Sequence, residues 1–185
     1  MRDAASAAHR YAPFYCEENV WWLAQEPRLA GLPREVVMVS NEARAVACFA
    51  QRAAPSEGAP VVWDYHVVLA VRRPEGVEVE DLDCTRGFPL EAGDWLEATF
   101  GPARALPPRY APRFRVIDAD AYVSLFSSDR AHMRAPDGGW LAPEPPWPAI
   151  VRGPSNLLRL ADVTDPFVGE LLDLTGLRAR WLGDQ

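Results

Sequence analysis

The sequence predicts an α+β fold in which an N-terminal helix carrying a cysteine packs on an antiparallel sheet, with many ordered loops. Two strand-type runs, VVWDYHVVLAV at 61–71 and VEVEDLD at 77–83, are separated only by the turn RRPEG and read as an antiparallel hairpin. Apolar residues make up 49% of the 185 positions and charged residues 24%, the usage of a globular chain long enough to close around one core. The 18 prolines are about twice the usual ~5% share, which favours long ordered loops over long helices.

In chain order, residues 1–13 read as a frayed or extended arm. A helix is expected from Cys16 to Gln25, with Glu17 and Glu18 in its first turn, where carboxylates suit the helix dipole, and Pro27 beyond its end. Glu35 to Ser40 is a short strand, followed by SNEAR and a second apolar piece, Ala45 to Phe49. APSEGAP turns the chain into the strand Val61 to Val71, and Val77 to Asp83 returns beside it. A helical turn is expected around Asp94 to Phe100, a strand over Phe114 to Ile117, a short helix over Ala119 to Phe126, and a polar segment from Ser127 to Met133. PEPPWP at 143–148 suits polyproline geometry. Ser155 and Thr164 read as N-caps of two closing helices, with Pro166 near a first helical position. No repeat or linker divides residues 1–185, so one domain is expected, with 164–185 as a helical extension at its C-terminus.

The formal net charge of −7 and pI near 5.0 disfavour a phosphate backbone as partner, so nucleic acid is not expected. No apolar run approaches the ~18 residues of a membrane span. The first residues, MRDAASAAHRYAP, lack an apolar core of signal type. A soluble, cytoplasmic protein without a membrane partner is expected. The three cysteines, Cys16, Cys48 and Cys84, are odd in number and form no CxxC pair, which argues against a disulfide scaffold or a cysteine-built metal site.

Cys16 stands at the start of the first helix, in FYCEENVWWL. A thiol there meets the positive end of the helix dipole and unpaired backbone N–H groups, which favour thiolate and could hold an oxyanion. Position alone leaves a core cysteine and a nucleophile equally open. Of the three histidines, His9 lies in the arm and His132 in a polar segment, leaving His66 on a strand as the candidate base. Strand parity puts Asp64, His66 and Val68 on one face, and Trp63 and Tyr65 on the other. A four-residue loop, Arg72 to Glu75, would set Asp81 opposite His66; a two-residue loop would set Asp83 there. Periodicity favours Asp81 without excluding Asp83. A Cys–His–Asp set performs nucleophilic acyl chemistry, the histidine moving protons and the aspartate fixing its tautomer. The order Cys, His, Asp, with the cysteine opening a helix, recurs in papain-like and transglutaminase-like enzymes.

Seven words are more specific: YCEENVW at 15–21, SNE at 40–42, WDYHVVL at 63–69, DLD at 81–83, FRVIDADAY at 114–122, FSSDRAHM at 126–133 and PPWPAI at 145–150. In order and spacing they resemble the protein N-terminal glutamine amidohydrolases, over roughly Tyr11 to Leu158. The resemblance implies a papain-like/transglutaminase-like fold and hydrolysis of the side-chain amide of an N-terminal glutamine to glutamate, with release of ammonia. It implies a protein or peptide substrate and a place in an N-degron route where arginyl transfer exists. It also places the family cysteine, histidine and aspartate on Cys16, His66 and Asp81, choosing Asp81 over Asp83. Cys84 departs from the family's DLDT word, and the stretch from Thr164 onward matches no family word.

The implied chemistry requires neither metal nor organic cofactor, and a monomer is expected. Selectivity for a free amine calls for an acid; Glu17, Glu18, Asp64 and Asp129 are the candidates, with Asp64 drawn closest to His66 by parity. Trp63, Tyr65 and Trp147 are candidate walls of a slot. No glutamine precedes Cys16 to serve as a papain-type oxyanion donor, so that donor is unassigned. A transglutaminase-like acyltransferase, a cysteine peptidase and a non-catalytic interaction module are the alternatives.

Overall fold

The computed structural model describes residues 9–183. A single antiparallel sheet of six strands organises it, and helices cover both of its faces. The helix α1 (Cys16–Leu23) leads into β1 (Arg34–Ser40), the short β2 (Val46–Cys48) and β3 (Val61–Trp63), then β4 (His66–Arg73) and β5 (Gly76–Glu80). After β6 (Leu90–Glu91) and α2 (Ala92–Phe100) come β7 (Arg113–Asp118), α3 (Ala119–Leu125), α4 (Leu157–Ala161), β8 (Glu170–Asp173) and α5 (Leu174–Leu182). The strand order is β6-β5-β4-β1-β7-β8, with β2 and β3 forming a separate pair.

The alternation of β1 and β4 builds two cores. Val36 and Met38 of β1 and Val67, Leu69 and Val71 of β4 face α1, α3 and α4. Val37, Val39, Val68 and Ala70 face α2 and α5, where Trp95, Leu96, Leu177 and Trp181 cover them. A strand buried on both sides reads as a continuous apolar run, which is why HVVLAV carries no polar partner until Arg72.

The expected strand 61–71 is two strands. Its first part, β3, pairs with β2, Val46 opposite Trp63, while β4 pairs with β1, Val39 opposite His66. The break falls at Asp64–Tyr65. The Asp64 carboxylate accepts the Tyr65 N–H at 2.9 Å and Ser40 Oγ donates to the Asp64 carbonyl at 2.6 Å, local bonds that replace the ladder there.

The hairpin also differs from the four-residue loop. Arg73 pairs with Gly76 and Leu69 with Glu80, so the loop is the two residues Pro74 and Glu75. Continued, that register would bring Asp83 opposite His66, but pairing stops at Glu80 and the chain turns through residues 81–83.

The arm lies partly outside the described residues. From His9 onward it is tied down: Asn19 binds Ala12 through both backbone groups, at 2.8 and 2.9 Å, and His9 Nδ1 meets Glu26 at 2.6 Å.

Thr164 caps no helix, and the extension from 164 is more than helical. Arg115, buried in β7, donates to the carbonyls of Leu160, Asp162, Asp165 and Val168 at 2.6–2.9 Å. Those carbonyls point at a guanidinium instead of along a helix axis, so the segment loops. It then adds β8 to the sheet before α5, which is capped by Asp173 at the Gly176 N–H. The preceding short helix α4 is entered through Asn156, not Ser155.

Gly169 enters β8 at φ +78, and a side chain there would meet the Val116 carbonyl of the neighbouring strand. Gly169→Ala is expected to destabilise the protein by about 1–3 kcal/mol, read as a lower urea midpoint.

Candidate active site

The start of α1 is set by backbone turns. Phe14 takes left-handed geometry at φ 69, and the Tyr15 carbonyl accepts the N–H groups of Glu18 and Asn19 at 3.1 and 2.9 Å. Cys16 is therefore the first helical residue, and its N–H and that of Glu17 have no carbonyl one turn back. Cys16 and His66 line one cavity of about 260 Å³, together with Trp63, Asp64, Tyr65, Asp83 and His132.

His66 is buried and its orientation is fixed. Nε2 lies 2.9 Å from Asp81 Oδ1, and the Trp63 ring stacks on the imidazole at 5.8 Å and 14°. Asp81 is saturated: Oδ1 also accepts the Asp83 N–H at 3.0 Å, and Oδ2 accepts Gln51 Nε2 at 3.0 Å and Trp95 Nε1 at 3.1 Å. Burial alone would raise the Asp81 carboxyl, but the His66 charge and the bonds from His66, Trp95 and Gln51 outweigh it and hold the group below the usual carboxylate range. Burial likewise pulls His66 down, and the adjacent Asp81 charge and hydrogen bond reverse this, leaving the imidazole above its ordinary 6.5.

The helix dipole does not decide the state of Cys16. Burial, then the neighbouring Glu17 and Asp83 charges, push the thiol well above its usual range, while the Val67 backbone N–H works the other way. The cavity therefore holds a neutral thiol and, on the same lining, an imidazole tied to an ionised aspartate. His66, Asp81 and Asp83 also bring ligand atoms within 4.8 Å of one another, a spacing open to a metal ion. The His66 nitrogen facing Asp81 and both Asp81 oxygens already have protein partners, and Asp83 Oδ1 accepts the Tyr11 hydroxyl at 2.6 Å. That arrangement fits a proton relay better than a metal centre.

Comparison with known proteins follows the same line. Residues 11–180 match the family described as N-terminal glutamine amidase. Proteins named protein N-terminal glutamine amidohydrolase from Drosophila ananassae and Drosophila virilis are each 42% identical over 158 residues, covering 82% of this chain and 76% of theirs. The chain belongs to the N-terminal glutamine amidase family. The match extends through β8 and most of α5, past the Leu158 limit of the sequence words.

In this amidase-family fold the other candidate residues separate. Asp64 stands on the cavity wall with its side chain 59% exposed and its carboxylate 3.5 Å from Arg44. Trp63 lines the cavity as well. Glu17 is wholly buried, its Oε2 3.8 Å from Cys16 Sγ. Glu18 is turned away and satisfied: Arg130 binds it with two bonds of 2.7 Å, and Trp147 Nε1 donates at 2.7 Å. Trp147 thus belongs to a second surface, beside Trp22 and Tyr11. Asp129 is exposed and accepts the Ala131 N–H at 3.0 Å, which makes it a turn cap.

Sequence reasoning missed Gln51 and Trp95, which hold Asp81 from 30 and 14 residues away, and Tyr11, which holds Asp83. No local pattern marks them. It also set His132 aside, although that ring lies on the cavity wall.

Arg130 and Glu18 form a buried pair, 4% and 0% exposed. Arg130→Met leaves the Glu18 carboxylate without its cation and is expected to cost about 3–5 kcal/mol in stability, measured by chemical denaturation.

Proposed function

We propose that this protein hydrolyses the side-chain amide of an N-terminal glutamine on proteins or peptides, giving glutamate and ammonia through a Cys16 thioester. The observation that carries the reading is His66, anchored through Nε2 to the fully hydrogen-bonded Asp81, in the same cavity as a cysteine that opens a helix. The names of the curated relatives supply the substrate class. The arrangement is in keeping with a papain-like or transglutaminase-like ancestry, with the helix carrying the nucleophile and the strand carrying the base.

In this scheme His66 takes the thiol proton as sulfur attacks the γ-carboxamide carbon. The first-turn N–H groups of α1 face the developing oxyanion. The imidazolium, stabilised by Asp81, gives its proton to the amide nitrogen, the C–N bond breaks, and ammonia leaves. Water then loses a proton to His66, attacks the thioester carbon, and releases glutamate as sulfur recovers its proton. A neutral thiol at rest makes the base essential, since burial does not allow a standing thiolate. Asp64 would pair with the substrate α-ammonium and Trp63 would form the adjoining side of the slot, a role supported by the exposure of the Asp64 side chain on the cavity wall.

Incubation with a Gln-first peptide should release one ammonia and add about one mass unit, while Asn-first and internal-Gln peptides remain unchanged. Cys16→Ser should be inactive; turnover of all three peptides, or full activity in the serine variant, would sink the proposal. Asp81→Asn should lower kcat by about 10³–10⁴-fold, the scale of a lost tautomer anchor. Asp64→Asn should raise KM with kcat little changed.

The pH profile follows from His66. The base must be neutral, and Asp81 favours its protonated form, so activity should rise with pH through a midpoint above the ordinary 6.5. The same raised His66 contributes stability at low pH that is lost as pH rises through its folded value. The lowered Asp81 contributes stability lost as pH falls through its own.

A further inference from the structure

The scheme leaves a second buried polar cluster unused, on the other side of Cys16. Tyr65 and His132 both line the cavity, and Tyr65 Oη lies 3.1 Å from His132 Nε2. The same Nε2 lies 3.5 Å from Glu17 Oε1, and the other oxygen of that carboxylate is 3.8 Å from Cys16 Sγ. Glu17 is wholly inaccessible, and its Oε1 has no hydrogen-bond partner among the described residues.

These contacts fix the direction of one proton. An unprotonated Nε2 would set a lone pair against a buried carboxylate oxygen, so the N–H sits on Nε2. Nε2 then donates, and the hydrogen bond at 3.1 Å is received by the Tyr65 oxygen. A phenol has a single proton. It is not given to His132, which is the donor; the Glu17 carboxylate draws it at long range, but Oε1 accepts no bond of normal length. The Tyr65 O–H thus has only a long, weak acceptor in Glu17 and can turn to a stronger one that forms at Cys16, which lines the same cavity. Burial foremost, with the Glu17 charge behind it, keeps that phenol protonated throughout the working pH range. Its backbone is also held, by the Asp64 carboxylate on the Tyr65 N–H.

We propose that the Tyr65 hydroxyl donates the side-chain hydrogen bond to the oxyanion formed at Cys16, with Glu17 and His132 acting as positioning residues that aim it. It complements the backbone donors of the first helical turn and takes the place of the upstream glutamine that this chain lacks. The inference rests on the amidohydrolase reading. A donor directed at charge that develops only in the transition state lowers the barrier without tightening substrate binding.

Tyr65→Phe removes the oxygen and keeps the ring. With a Gln-first peptide, kcat should fall by about 10²–10³-fold, the scale of one lost oxyanion donor, with KM within about twofold. Alkylation of Cys16 by iodoacetamide forms no oxyanion, so its rate should match the wild type, whereas His66→Ala should slow it. A peptide aldehyde carrying CHO in place of the γ-carboxamide should bind Tyr65→Phe more weakly by a factor similar to the loss in kcat.

His132→Leu frees the phenol to turn toward Glu17 and should lower kcat at least tenfold, again with alkylation unchanged; it serves if Tyr65→Phe fails to fold by circular dichroism. Undiminished kcat in these variants, or alkylation slowed in step with kcat, overturns the role of Tyr65. A wild type that releases no ammonia from the Gln-first peptide overturns the amidohydrolase reading instead, so the two failures are distinguishable.

Discussion

Asp81 is 1% exposed, and an ionised carboxylate at that depth is tolerated only because donors converge on both of its oxygens. The desolvation of such a group costs several kcal/mol before compensation. His66, Gln51, Trp95 and the Asp83 N–H supply four bonds between 2.9 and 3.1 Å. Each comes from a different part of the fold: the first residue of β4, the loop after β2, helix α2, and the turn after β5. The site is thus a consequence of those four pieces being packed at once, and the imidazole inherits its orientation from that packing.

The break in the third and fourth strands serves the same end. A continuous strand would have carried Trp63 and Tyr65 on one face and His66 on the other. With the chain bent at Asp64 and Tyr65, Trp63 stacks on His66 and both rings reach the cavity of Cys16. Tyr65, adjacent to His66 in sequence, lines the same space. One local choice, a carboxylate bonding the next backbone N–H, converts a two-faced strand into a wall of four consecutive residues, 63–66.

Burial has opposite effects on the groups around Cys16. It pushes the thiol up and so withholds thiolate from the resting enzyme. It also keeps Glu17, Glu18 and Asp81 out of water, where only organised partners can hold them. Glu18 is met by Arg130 and Trp147, which fasten α1 to the 126–150 loops, and Asp81 by its four donors. Of these three carboxylates Glu17 alone retains an unbonded oxygen, Oε1, while its Oε2 lies 3.8 Å from Cys16 Sγ.

The sequence by itself determined the elements whose signals are local. The helix opening at Cys16, the apolar run of β4, and the short elements around 92–100 and 113–125 follow from periodicity, proline placement and turn residues, and the ordered words fixed the family. Tertiary structure decided the rest. The two-residue turn at Pro74–Glu75 sets a register that favours Asp83 by count, yet the chain leaves the ladder at Glu80 and Asp81 folds back onto His66. The segment after Leu160 loops because one distant arginine binds four of its carbonyls. Gln51, Trp95, Tyr11 and His132 gained their places in the same way. Periodicity reports which face a residue occupies, but a buried charge chooses its partners by distance in the packed chain, and no spacing along the sequence encodes that.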